Sequence, residues 1–267
     1  MRKSRPLKRR IHTAFHHSMM RLLTRLLKRT RESDLQKLSS NLPLRSLFIR
    51  YERIGDLLMA TPAIRAIAES REGSTVDVLA SPANAAVVEG NPRVRRIVLF
   101  SRPAWSTYPA LWWRLRRARY DVVIDGRVNP QRITGITPLL LLMTGARIRI
   151  GAAIEGKESL YTHRVPVDRY AHFARQTLSL ARPFGVDVDA VDLRPEIYVT
   201  SAECARAKGL WAKLVSDDAS PRLIVNISAV GPLRQWPDER YAYVVRGFLG
   251  RYPNATVVIV ATPSEAN

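Results

Sequence analysis

From about residue 40 onward, short apolar runs alternate with longer stretches in which apolar residues recur every three or four positions. Residues 44–49 read as a buried strand, 50–55 as a loop, and 56 to about 70 as a helical stretch interrupted by Thr61 and Pro62. Proline has no N–H to donate, so it either kinks that helix or starts a second one with Thr61 as its N-cap. Residues 75–80, 93–100, 120–125 and 147–151 follow as strands, separated by helical patterns at 82–89, 108–118 and 132–144. Strand and helix in this alternation predict an α/β domain with a parallel sheet and right-handed crossovers.

Helical spacing returns at 170–184 and 201–215, and the polar stretch 216–220 has the composition of a linker. A fresh unit then begins: a strand at 223–227, a helix at 238–250 with Asp238 placed to cap it, and a strand at 256–260. One strand–helix–strand unit cannot bury both faces of its sheet. Residues 221–267 are therefore expected to be only the start of a second, incomplete α/β domain.

Charge changes the picture at the N-terminus. The 267 residues carry 43 Lys and Arg against 23 Asp and Glu, a formal net charge of +20. Residues 1–31 hold eleven of those cations and no acid, with Phe15, Met19, Leu22, Leu23, Leu26 and Leu27 at helical spacing among them. An apolar stripe flanked by cations suits the interface of an anionic membrane, where each cation contributes about 1 kcal/mol. Arg21 and Arg25 interrupt any secretory-signal core, whereas a transit peptide, a nucleic-acid contact or an inert basic tail shares the composition. No run approaches the roughly 18 apolar residues of a membrane span. The single cysteine, Cys204, excludes a disulfide framework within the chain and points to a reducing compartment. A hydrophobic content of 46% is that of a globular chain.

The segment with most chemistry is R-Y-E-R-I-G-D-L-L-M-A-T-P-A-I at 50–64. It leaves the carboxyl end of the first strand, where open α/β sheets bind ligands. Gly55 lets a ligand approach the backbone. Asp56, near a helix N-terminus that favours its carboxylate, is placed to accept a proton from a substrate hydroxyl. A plain N-cap is the competing role for Asp56. Neither G-x-G-x-x-G nor G-x-x-x-x-G-K-[ST] is present here. Arg53, Arg127 and Arg132 lie beside strand ends where an anionic acceptor could dock, unless they are solvated surface. His163 and His172 lack the partners of a metal site. Trp112 and Trp113 cannot both face the core, so one is expected to be exposed.

Residues 48–64, centred on R-x-x-x-I-G-D-x-L-x-x-T-P-A-[IL], resemble the ADP-heptose:lipopolysaccharide heptosyltransferases, glycosyltransferase family nine. Matching segments follow in order: V-D-V-L at 76–79, G-N-P-R-V at 90–94, Y-D-V-V-I-D at 120–125, N-I-S-A at 226–229, R-Q-W-P at 234–237, and the strand and acid of 257–265. The resemblance implies a GT-B fold of two Rossmann-like domains facing a cleft. It implies inverting transfer with no obligatory metal or cofactor.

On that resemblance the chain divides into a basic amphipathic extension (1–40), an acceptor-side Rossmann-like domain (41–200), a helix and interdomain linker (201–220), and the start of the donor-binding domain (221–267). Asp56 matches the general base. Arg234 stands where the family has a diphosphate-stabilising lysine, and Glu265 matches the acid that holds the donor ribose; Ser228, where a strand gives way to a loop, is placed either to contact phosphate or only to stabilise the loop. Arg53, Gly55, Arg127 and Arg132 fall on the acceptor side. The partners implied are ADP-heptose, an anionic lipopolysaccharide-core acceptor, and the cytoplasmic face of the inner membrane through residues 1–31, with no nucleic acid. The family's D-[ST]-G-x-x-H segment has no counterpart here, so the chain as given is expected to bind nucleotide-sugar poorly or not at all. A glycosyltransferase for another nucleotide-sugar, a non-catalytic basic membrane-associated relative and a nucleic-acid binder are the other readings the sequence leaves open.

Overall fold

The computed structural model of the chain describes residues 32–101, 107–128, 136–153, 160–215, 220–229 and 234–261. Two compact units are present, Met1–Tyr198 and Val199–Asn267. The basic segment 1–31, Arg132 and Glu265 lie outside the described residues.

The first unit is built on six parallel strands: β1 (Arg45–Ile49), β2 (Thr75–Ala80), β3 (Val94–Leu99), β4 (Val122–Asp125), β5 (Ile148–Ala152) and β6 (His163–Val165), in the spatial order β3-β2-β1-β4-β5-β6. Central parallel strands are covered on both faces and so read as unbroken apolar runs. β1 is the clearest case, with Phe48 facing one side and Leu47 and Ile49 the other. On the Phe48 side pack α2 (Ile54–Leu58), α3 (Thr61–Glu69), α6 (Phe173–Leu178) and the tight helical turn Ser179–Phe184. On the Leu47 side pack α4 (Tyr108–Arg117), through Leu111 and Leu115, and α5 (Ile136–Thr144), through Leu140 and Leu141. Each such side chain, removed wholly from water, contributes about 1.5–3 kcal/mol before the entropy of ordering is charged against it. A short helix, α1 (Glu32–Ser39), precedes β1.

The second unit holds α7 (Ser201–Leu214), β7 (Arg222–Asn226), α8 (Asp238–Arg251) and β8 (Thr256–Val260), with β7 and β8 paired in parallel. A reciprocal capping box starts α7: Thr200 Oγ1 accepts from the Glu203 amide, and the Glu203 carboxylate accepts from the Thr200 amide. The Thr200 amide and the Thr200 hydroxyl both donate to the Glu203 carboxylate and hold it below its ordinary pKa range. The helix expected at 201–215 thus belongs to the second unit.

Several local expectations are corrected. The 56–70 helix is two helices, broken before Pro62, but the N-cap of the second is Ala60. Thr61 instead donates to the Leu58 carbonyl at 2.8 Å and accepts from the Glu196 amide at 2.9 Å, tying the strand-exit region to the end of the unit. Residues 82–89 shorten to one tight turn, Ala85–Val87. Asp238 lies in the first turn of α8, whose N-cap is Pro237. β6 was absent from the sequence pattern. Both Trp112 and Trp113 are exposed, not one.

Candidate functional site

The chain runs outward from β1 to β2 and β3, then returns across the sheet to β4. The helices after β1 cover one face and α5 after β4 covers the other, so the connections diverge between β1 and β4. Such a switch point opens a crevice at the carboxyl edge of the sheet. The R-x-x-x-I-G-D loop leaves β1 there, and residues 126–128 leave β4 beside it.

Arg50, the first residue past β1, continues the sheet by donating its amide to the Leu79 carbonyl at 3.0 Å. Its side chain is almost wholly buried, packed 5.6 Å from the Phe173 ring centroid, and its Nη2 meets Asp56 Oδ2 at 2.6 Å. Asp56 stands at the third position of α2, behind an Arg53 N-cap with no side-chain cap hydrogen bond. It is therefore not the N-cap, and its carboxylate remains partly open to solvent. The same arginine reaches Glu52 at 3.9 Å, and Glu52 reaches Arg127 at 3.6 Å.

Arg127 in turn locks onto Asp125 with a two-pronged contact, Nε to Oδ1 at 2.9 Å and Nη2 to Oδ2 at 2.8 Å. Tyr161 donates to the same Oδ2 at 2.6 Å, and Arg127 also bonds Thr137. Asp125, Arg127 and Tyr161 are buried. Burial opposes the Asp125 charge, but the Arg127 cation and the hydrogen bonds outweigh it, leaving this carboxyl below its usual range. Burial, reinforced by Asp125, pushes the Tyr161 phenol upward. The result is a chain of alternating charges, Asp56–Arg50–Glu52–Arg127–Asp125, that spans the switch point from the half-open Asp56 to a sealed interior end.

Three further features hold this arrangement. Asn84, buried in the loop after β2, donates its amide to the carbonyls of Arg50 (3.2 Å) and Arg53 (3.4 Å) and accepts from the Ser81 amide at 2.8 Å. Gly126 donates to the Ile49 carbonyl at 3.0 Å, and a Cβ there would meet the Phe48 ring at 2.5 Å. Gly151 in β5 leaves the space that the Tyr161 ring fills.

Of the expected acceptor-side residues, Gly55 lies in the first turn of α2 with open space before it; a Cβ would meet nothing within 4 Å. Arg53 is exposed at the start of that helix. Arg127 reaches the crevice floor but is buried, its fork engaged by Asp125. In the second unit, Ser228 follows the carboxyl end of β7, its amide held by Asn226 Oδ1 at 3.0 Å, and Arg234 is exposed. The sequence pattern did not single out Arg50, Glu52, Asn84, Asp125 or Tyr161 as parts of the site. His163 Nδ1 lies 3.0 Å from Thr162 Oγ1, and His172 Nδ1 caps α6 through the Ala174 amide. Among the described residues no group of three or more His, Cys, Asp or Glu could hold a metal ion.

The fold has counterparts among solved structures. A glycosyltransferase family 9 protein from Veillonella parvula superposes with a TM-score of 0.70 at 20% identity, over 85% of this chain and 66% of its own. The E. coli ADP-heptose lps heptosyltransferase II does so with a TM-score of 0.64 at 19% identity, over 83% and 66%. The E. coli heptosyltransferase WaaC, solved with ADP, gives a TM-score of 0.60 at 16% identity, over 83% and 68%. The fold is that of the heptosyltransferases. The chain spans about two thirds of the length of these structures. No protein-family model matches the sequence, and no curated protein is significantly similar to it. The β1–α2 loop with Asp56 lies at the carboxyl edge of the first sheet, the edge at which open α/β sheets in general bind ligands.

Proposed function

We propose that the protein is an inverting glycosyltransferase that transfers heptose from ADP-heptose to the inner core of lipopolysaccharide, with Asp56 as the general base. One observation carries this reading: a partly open carboxylate, held by a buried arginine at the switch point of a heptosyltransferase fold.

In the reaction Asp56 takes the proton from an acceptor hydroxyl as that oxygen attacks the anomeric carbon. The new C–O bond forms on the face opposite the breaking bond to phosphate, the configuration inverts, and ADP leaves with the electron pair. Arg50 holds the base in position. The open space before Gly55 admits the acceptor sugar, and Arg53 and Arg132 meet its anionic groups. Arg127 serves by fixing Glu52 and Asp125 rather than by reaching out to substrate. On the donor side Arg234 offers a planar fork to the diphosphate, Ser228 a hydroxyl, and Glu265 a carboxylate to the ribose. Arg234 there offsets charge on the departing ADP, in a step proposed to run without metal or cofactor. The acceptor is membrane-borne, which places the enzyme at the cytoplasmic face of the inner membrane. No described helix is long and apolar enough to cross it.

The test is ADP release from ADP-heptose in the presence of a core acceptor lacking heptose, with the product weighed by mass spectrometry. Acceptor-dependent ADP release and a product heavier by one heptose support the reading. ADP-heptose left intact, or the same release without acceptor, overturns it.

A further inference from the structure

At the end of the first sheet opposite Asp56, the amino ends of β4 and β5 and the carboxyl ends of α4 and α5 surround a cavity of about 400 Å³. Lys37, Arg116, Arg119 and Arg147 line it against a single carboxylate, Asp121, among the described lining residues. Asp121 is already engaged by Lys37 at 3.2 Å and by the Arg45 amide at 3.0 Å. The Arg116 guanidinium lies across Gly145, in space that any side chain there would occupy.

α4 continues the same surface. Leu111 and Leu115 anchor its inner side, while Trp112 and Trp113 are 51% and 57% exposed. Arg117 stacks 5.1 Å from the Trp113 ring centroid, and Arg116 follows Trp112 by four residues, on the same side of the helix. Two adjacent exposed tryptophans are costly in water and are at home where apolar chains meet polar headgroups.

We propose that this edge, α4 with the adjoining basic cavity, is a docking surface for an anionic phospholipid bilayer: the tryptophans enter the interface, and the cavity arginines and Lys37 take lipid phosphates. Charge complementarity selects an anionic surface. The basic segment 1–31 selects a membrane over a nucleic acid. It joins α1 in sequence and mixes Phe15, Met19, Leu22, Leu23, Leu26 and Leu27 with its cations, apolar residues that a nucleic acid has no use for. This surface lies at the opposite sheet edge from Asp56, and its test needs neither donor nor acceptor sugar.

The experiment uses the full chain with Trp105→Phe, Trp211→Phe and Trp236→Phe, which leaves Trp112 and Trp113 as the only reporters. Vesicles of phosphatidylglycerol and phosphatidylcholine carrying brominated acyl chains should quench and blue-shift the emission, whereas phosphatidylcholine alone should not. In the otherwise native chain, Arg116→Glu with Arg119→Glu should weaken anionic-vesicle binding about tenfold or more, at an unchanged thermal midpoint. Vesicle binding without quenching shows attachment through residues 1–31 alone and overturns the proposal. Binding of an oligonucleotide in place of vesicles overturns it as well. Should the double variant unfold, the quenching result decides by itself.

Discussion

Arg50 and Asp56 meet across 2.6 Å, with the guanidinium side chain only 6% exposed and the carboxylate 27% exposed. A buried cation thus holds a half-open anion in one orientation, which is what the proposed role of Asp56 as a base for one fixed hydroxyl requires. Lysine in place of Arg50 keeps the charge but cannot face Asp56, Glu52 and the Phe173 ring together. Arg50→Lys is expected to lower kcat by up to about 10²-fold with a smaller change in KM, a split that steady-state kinetics reads directly.

The sealed end of the charge chain governs acid stability. The Asp125 carboxyl lies below its usual range in the folded protein and returns to about 4 on unfolding. The folded value is the lower one. Its contribution is therefore fully present above about pH 4 and is lost as the pH falls below that, through the folded value. Asp125→Asn should flatten the acid limb of a stability–pH profile from urea midpoints. At neutral pH it should cost up to about 3–5 kcal/mol, because buried Arg127 loses its two-pronged partner and keeps only Glu52, at 3.6 Å, as a counter-charge.

The alkaline limb has the opposite sign. Burial and the Asp125 charge raise the Tyr161 phenol above its ordinary pKa, and burial with the Asp77 hydrogen bond does the same for Tyr120. Stability from these groups is complete below about pH 10 and falls above it, as the unfolded chain ionises first. Tyr161→Phe should reduce that fall, measured by the same urea midpoints.

Asn84 links the loop after β2 to the backbone that leads into Asp56. Asn84→Ala would leave the Arg50 carbonyl without its Asn84 donor and the Ser81 amide without its acceptor. It is expected to cost about 1–3 kcal/mol in stability and to lower turnover beyond what the remaining folded fraction explains. Thermal unfolding alongside active-fraction-corrected kinetics separates the two effects.

The sheet was largely legible because strands covered by other elements carry short apolar runs. Thr75–Ala80 falls where the pattern placed it, with Asp77 inside the run, and so does Thr256–Val260, although its side chains are half-buried or exposed. β6 escaped because it is three residues long and includes Arg164, so no apolar run marks it. In the site, the position of Asp56 at the exit of β1 followed from strand, glycine and helix in order. Its partner did not, because the Arg50–Asp56 contact depends on how the loop folds back. The sequence pattern sets Arg127 beside a strand end, facing a ligand. On extended backbone, residues two apart share a side, and the Asp125 carboxylate draws the guanidinium inward. That i, i+2 pairing was available in the sequence. The role of Asn84 was not, since it arises only where the loops after β1 and β2 meet.

The measurement that bears most directly on the central claim is the turnover of Asp56→Asn with ADP-heptose and a heptose-free core acceptor, beside its thermal midpoint. Loss of a general base predicts a fall of about 10²–10⁴-fold in kcat with a midpoint close to that of the native chain. Native turnover in Asp56→Asn would contradict the assignment.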